Sequence, residues 1–166
     1  MIAPLTLKAS GKIDKAVTFF EEEFPPSLPL EGTYTFNSYR LTYRYDIFSR
    51  KKWSLGIGLT AKIRDAAVGL KGGGKSSVKT NVGFVPLINF SLEWKFDKSL
   101  SLLLEGDALG ASQGRAEDIL LALLYSLGKH LVLKAGYRIV EGGADVDEVY
   151  NFTLIHYALI GVRYTF

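Results

Sequence analysis

The sequence predicts an all-β fold: an eight-stranded antiparallel up-and-down transmembrane β-barrel. Three observations carry this. Apolar and polar residues alternate along most of the chain, which is the period of a strand with two faces. Short turns and longer links alternate between the runs. Aromatic residues gather at both ends of the runs, as two membrane interfaces require.

Eight segments follow in order. Ala3–Phe20 opens the chain with Lys8, Lys12 and Asp14 in its polar phase. Thr33–Asp46 sets Tyr39, Leu41, Tyr43 and Tyr45 against Ser38, Arg40, Thr42 and Arg44. Lys52–Leu70 sets Trp53, Leu55, Ile57, Leu59, Ala61 and Ile63 against Ser54, Gly56, Gly58, Thr60, Lys62 and Arg64. Phe36 and Tyr39 are aromatic in opposite phase, which predicts a bulge near Asn37. Lys79–Phe96 contains Pro86, and a second bulge is expected there. Ser99–Gly110 carries Glu105 and Asp107, Ala116–Leu127 carries Asp118, and His130–Val140 carries Lys134 and Arg138. Val149–Phe166 closes the chain with Tyr150, Phe152, Leu154, His156, Ala158, Ile160, Val162, Tyr164 and Phe166 on one face.

Asp46–Lys51, Asp97-Lys98 and Gly128-Lys129 are short turns. Glu21–Gly32, Lys71–Val78, Ala111–Arg115 and Glu141–Glu148 are longer loops. Three short turns, four long loops and an even strand count place both termini on the short-turn side, the plan of a bacterial outer-membrane barrel.

Composition narrows the alternatives. A chain of 166 residues is one domain. With no cysteine it has neither a disulfide framework nor a thiolate metal site. Its net charge of +3 is scattered rather than striped, against a nucleic-acid partner. Although 48% of residues are hydrophobic, no apolar run approaches the ~18–20 residues of a membrane helix. The start, Met-Ile-Ala-Pro, lacks the charged and apolar regions of a signal peptide, as in a mature exported chain.

A soluble, lipocalin-like carrier would alternate equally well but turn its apolar face inward. The polar face argues for the reverse. It mixes glycine and serine with long charged residues, as the crowded interior of a small barrel requires. Trp53, Trp94, Phe96, Tyr164 and Phe166, with Tyr45 and Tyr125, form an aromatic girdle beside the short turns. Phe19, Tyr34, Phe84, Tyr150 and Phe152 form a second one near the long loops.

The ending Gly161-Val-Arg-Tyr-Thr-Phe166, aromatic–x–aromatic at the terminus, resembles the assembly signal of outer-membrane barrels. Gly114-Arg-Ala-Glu-Asp118, Gly136-Tyr-Arg138, Glu141-Gly-Gly-Ala-Asp145, Asp147-Glu-Val-Tyr-Asn-Phe152 and His156-Tyr157 resemble a family of small, uncharacterised eight-stranded Gram-negative barrel proteins. The resemblance implies an outer-membrane location, lipid bilayer and lipopolysaccharide as surroundings, and the barrel-assembly machinery as a partner through the Phe166 strand. It implies no catalytic residue.

Several motifs have plainer readings. Gly69–Ser76 matches the P-loop pattern, but no helix follows to receive phosphates, so it reads as a basic hairpin loop. Glu141, Asp145, Asp147 and Glu148 offer oxygens to a hard cation but lack the ligand order of an EF-hand. They and Glu21-Glu22-Glu23 read as solvated charge, and no metal or cofactor is expected. The two histidines, His130 and His156, have no evident serine partner, so an interfacial role is expected and an enzyme is not.

The informative constellation is the inward phase. Arg40, Arg44, Lys62, Arg64, Lys134 and Arg138, with Lys8, Lys12 and Arg163, face Glu105 and Asp107, with Asp14, Glu93 and Asp118. Buried charges must pair, and Glu105 and Asp107 are expected to meet Lys134, Arg138 or Arg40. Leu103, Leu124, Val132, Tyr157 and Leu159 form an apolar plug toward the turn side. The expected function is a monomeric, non-enzymatic membrane barrel with a structural or surface-interaction role. A small pore for anionic or amphipathic solutes, a lipid-modifying enzyme and a soluble carrier are the alternatives.

Overall fold

The computed structural model describes residues 1–111, 114–146 and 149–166. These residues form strands and turns. The strands are β1 (Ile2–Ala3), β2 (Thr6–Lys12), β3 (Val17–Phe19), β4 (Glu22–Phe24), β5 (Pro29–Ser49), β6 (Trp53–Gly72), β7 (Lys75–Lys95), β8 (Leu100–Ala111), β9 (Gly114–Leu127), β10 (Leu131–Val146) and β11 (Val149–Tyr164). The main sheet runs β1-β5-β6-β7-β8-β9-β10-β11, with β2 also on β5. Because β1 and β2 share one edge of β5, the sheet has eight strand positions, each next to its neighbour in sequence. This is the expected antiparallel up-and-down order.

The expected first strand is broken after Ala3, where Pro4 has no N–H to give the ladder. Both pieces keep one register on β5, with Ala3 opposite Ser38 and Thr6 opposite Thr35. Between them the Phe36 N–H donates to the Leu5 carbonyl at 2.8 Å. That pairing leaves no bulge at Asn37, contrary to the expectation. The aromatic phase change is met differently: Tyr34 and Phe36 stack at 6.3 Å on the face of Ser38, away from Tyr39. Pro86 also lies in an unbroken strand, and the β7–β8 ladder ends two residues short of it, at Ile88 opposite Ala108.

The long loops are shorter than expected. Lys71–Val78 reduces to a turn at Gly73-Gly74, whose φ values of +58° and +79° suit the tight hairpin geometry that favours glycine. Glu21–Gly32 contains part of a small hairpin, β3 paired with β4. β10 extends to Val146, so most of the expected Glu141–Glu148 loop is strand. Asp147, Glu148, Ser112 and Gln113 lie outside the described residues, as do the side chains of Asp145 and Tyr150.

The contacts divide the chain into two compact units, Met1–Leu41 with Ala61–Val85, and Thr42–Thr60 with Pro86–Phe166. In the first, Phe24 and Leu30 are buried near the hairpin. The Ser77 hydroxyl donates to the Phe19 carbonyl at 3.2 Å, and Lys75 pairs with Glu22 at 3.1 Å. In the second, the buried apolar side chains are Leu87, Leu103, Leu120, Ala122 and Leu124. Leu103 and Leu124 are the expected plug residues. Val132, Tyr157 and Leu159 are half-buried.

Candidate functional site: a charge-paired inner face

Alternation sorts the side chains in an unusual sense. Lys62, Asp107 and Asp118 are 5%, 7% and 5% exposed, whereas Leu41, Leu59 and Ile160 are 79%, 68% and 91% exposed. In a water-soluble domain, a lysine or aspartate is rarely so buried, and large apolar patches are rarely so exposed.

In the second unit the buried polar face is built in two rows. The lower is centred on Glu105 of β8, which meets Arg44 of β5 at 3.5 Å and Lys134 of β10 at 3.3 Å. The upper begins with Thr42 of β5, whose hydroxyl lies 2.7 Å from that of Thr60 on β6. Thr60, only 1% exposed, donates to Asp107 Oδ1 at 2.5 Å, and Asn89 Nδ2 of β7 donates to the same oxygen at 2.8 Å. Beside it, Arg138 Nε and Nη2 each donate to Asp118 at 2.6 Å, a bidentate pair. Adjacent strands lie about 4.8 Å apart, so direct bonds from β6 to β8 and from β8 to β10 require this unit's sheet to curl around its polar face.

Of the contacts expected from the sequence, this unit shows Glu105 with Lys134, while Asp107 is held by Thr60 and Asn89. Glu105 also takes Arg44. Arg138 takes Asp118. Thr60 and Asn89 were not singled out, because neutral residues in a polar phase carry no charge signal.

In the first unit, Arg40 Nε donates to Ser38 Oγ at 2.9 Å, and Lys62 Nζ lies 5.3 Å over the Phe36 ring. Arg64 donates through Nη2 to Asn81 Oδ1. Lys8 and Lys12 are corrections. Leu7 pairs with Tyr34 and Lys8 with Thr33, so both lysines lie on the face opposite Phe36 and Lys62. β1 and β2 keep one phase across Pro4, and β2 turns its apolar residues, not its lysines, to the Tyr34 face. Asp14 falls in the bend after β2 and Arg163 is exposed, so neither belongs to the buried network.

The turn-side girdle is assembled in the second unit. Trp53 and Trp94 stack at 5.3 Å, Phe96 meets Trp94 edge-on at 4.9 Å, and Phe166 meets Tyr164 edge-on at 5.2 Å. Of the residues expected in the second girdle, Phe84 of the first unit and Phe152 of the second are exposed, and Phe19 and Tyr34 line a cavity of the first unit.

The P-loop pattern spans the β6–β7 turn, where Lys75 holds the Glu23 carbonyl at 3.1 Å as well as Glu22. Glu141 pairs with Arg115. His130 Nδ1 lies 2.9 Å from the Thr165 carbonyl, and His156 Nδ1 lies 2.9 Å from the Tyr137 hydroxyl. Tyr137 is a partner that spacing could not reveal, because the two strands must first be placed side by side. Among the described residues, no group of three or more His, Cys, Asp or Glu is arranged to hold a metal.

Comparison with protein-family models, curated proteins and solved structures finds no match for this chain.

Proposed function

We propose that this chain is an integral outer-membrane β-barrel, closed between its first and last strands, with a structural or surface-interaction role rather than an enzymatic one. The observation that carries this reading is the inverted polarity: paired charges buried on one face and large apolar residues exposed on the other. A bilayer is the solvent in which this arrangement is favourable. The outward run from Trp53 to Ile63 on β6 has the right extent. Its ten steps, at ~3.3 Å each and a tilt of about 45°, span about 23 Å, close to the ~25 Å apolar band of such barrels. The resemblance of the final strand to an assembly signal supports insertion by the barrel-assembly machinery, next to lipopolysaccharide.

Refolding from urea into uncharged detergent micelles tests this. A β-rich circular dichroism spectrum and a gel mobility that changes on boiling are expected. A chain that folds as a monomer in plain buffer, with no mobility change, would leave the soluble carrier as the reading.

A further inference from the structure

The unit formed by Met1–Leu41 and Ala61–Val85 carries two features that the network around Glu105 and Asp107 does not use. The first is a cavity of about 290 Å³ whose apolar walls include Leu7, Phe19, Tyr34, Val68 and Leu70. Its size is at the small end of ligand pockets, about 300–1,000 Å³. Ala9 and Gly32 also line it and, having almost no side chain, leave its floor open. Phe19 comes from the β3–β4 hairpin, which is tied down by the contacts of Ser77 and Lys75.

The second feature is Arg64. It precedes Val68 and Leu70 in the same phase of β6, so it stands on the face that the cavity occupies. Its Nη2 has Asn81, but its Nε is buried with no acceptor among the described residues, and a buried donor left unsatisfied is costly. Arg40, Lys62 and Lys79 share this face, while none of the unit's β5, β6 and β7 positions in that phase is Asp or Glu. The Nε–Nη2 edge of an arginine is shaped for an oxyanion. Val68 is four residue steps from Arg64, about 13 Å along a strand, a distance that a medium-length alkyl chain spans.

We infer that this face binds a single-chain amphiphile with an anionic head, its oxyanion on the Nε–Nη2 edge of Arg64 and its alkyl chain in the cavity beneath Phe19. Neither feature selects such a ligand alone: the cavity would take any alkyl group, and the arginine any small anion. Together on one face they favour a molecule with both. Such a ligand sits on the inner side of the strands, so the site is independent of what covers the outer side.

The test uses the full chain, folded in an uncharged detergent, and a twelve-carbon carboxylic acid bearing a diazirine at the chain end. Irradiation and peptide mass spectrometry should give saturable labelling on the segments holding Leu7, Phe19, Tyr34 and Leu70. Laurate and dodecyl phosphate should compete at least about tenfold better than dodecanol, reflecting a charge-assisted head contact. Inorganic phosphate should not compete. The better of the two anionic competitors identifies the head group as carboxylate or phosphate. Arg64→Gln should reduce labelling about tenfold. Gly32→Leu should abolish it without unfolding the chain, because a Cβ there meets only the Ala9 carbonyl, at 3.8 Å. Dodecanol competing as well as laurate would overturn the inference on the unmodified chain, even if a variant failed to fold. Labelling spread over the outward positions Leu41, Leu59 and Ile160 would also overturn it.

Discussion

Asp107 lies directly opposite Asp118 on the adjacent strands β8 and β9, both buried, and each carboxylate is held by donors of its own. Two like charges at such a cross-strand position are unfavourable unless each is compensated. Arg138 compensates Asp118 through two bonds, while Thr60 and Asn89 serve Asp107. Arg138→Gln should therefore destabilise the fold by about 3–5 kcal/mol, the usual cost of stranding one member of a buried pair. Adding Asp118→Asn should recover much of the loss. Urea unfolding of the two variants in detergent measures both values, and an additive double variant would show that the pair does not act as a unit.

Gly58 makes a different constraint visible. A Cβ at this position would fall 2.0 Å from the Tyr43 carbonyl oxygen and 2.7 Å from the Arg44 Cα. Both are backbone atoms, so the strands themselves must part. Gly58→Ala should cost about 3 kcal/mol or more. Gly74, at φ +79° with open space around it, should tolerate alanine at about 1–2 kcal/mol. Equal losses in denaturant melts of the two variants would contradict this close approach.

The exposed apolar face separates a membrane barrel from a soluble one. Leu59 stands midway along the Trp53–Ile63 run. Leu59→Arg in lipid vesicles should lower stability by about 2–4 kcal/mol, as for a charge on the lipid face near the midplane. If water covers this face, the same change should be neutral. Unfolding equilibria from vesicles decide between these outcomes.

Much of this architecture was legible because strand alternation is a local property. Trp53 through Arg64 announces two faces by composition alone, and the structure keeps every one of those residues on its expected face. Where a strand reverses the sense, alternation alone misleads. Thr6–Lys12 alternates as cleanly as the other strands and keeps one phase with Ile2–Ala3 across Pro4, yet it turns Leu7 to the Tyr34 face and Lys8 and Lys12 away from it. Loops are shorter than expected because Gly- and Lys-rich stretches such as Lys71–Val78 look like loops by composition, yet two glycines at positive φ suffice for the turn.

By itself, then, the sequence determined the all-β class, the order of the strands and the polarity of most faces, since each follows from residues adjacent or two apart. Only the tertiary structure decided that Arg138 takes Asp118, that Glu105 is shared by Arg44 and Lys134, and that Phe19 covers a cavity beside Tyr34. Those contacts join residues far apart in the chain, and they exist only once strand register and the curl of the sheet bring their side chains within a few ångströms.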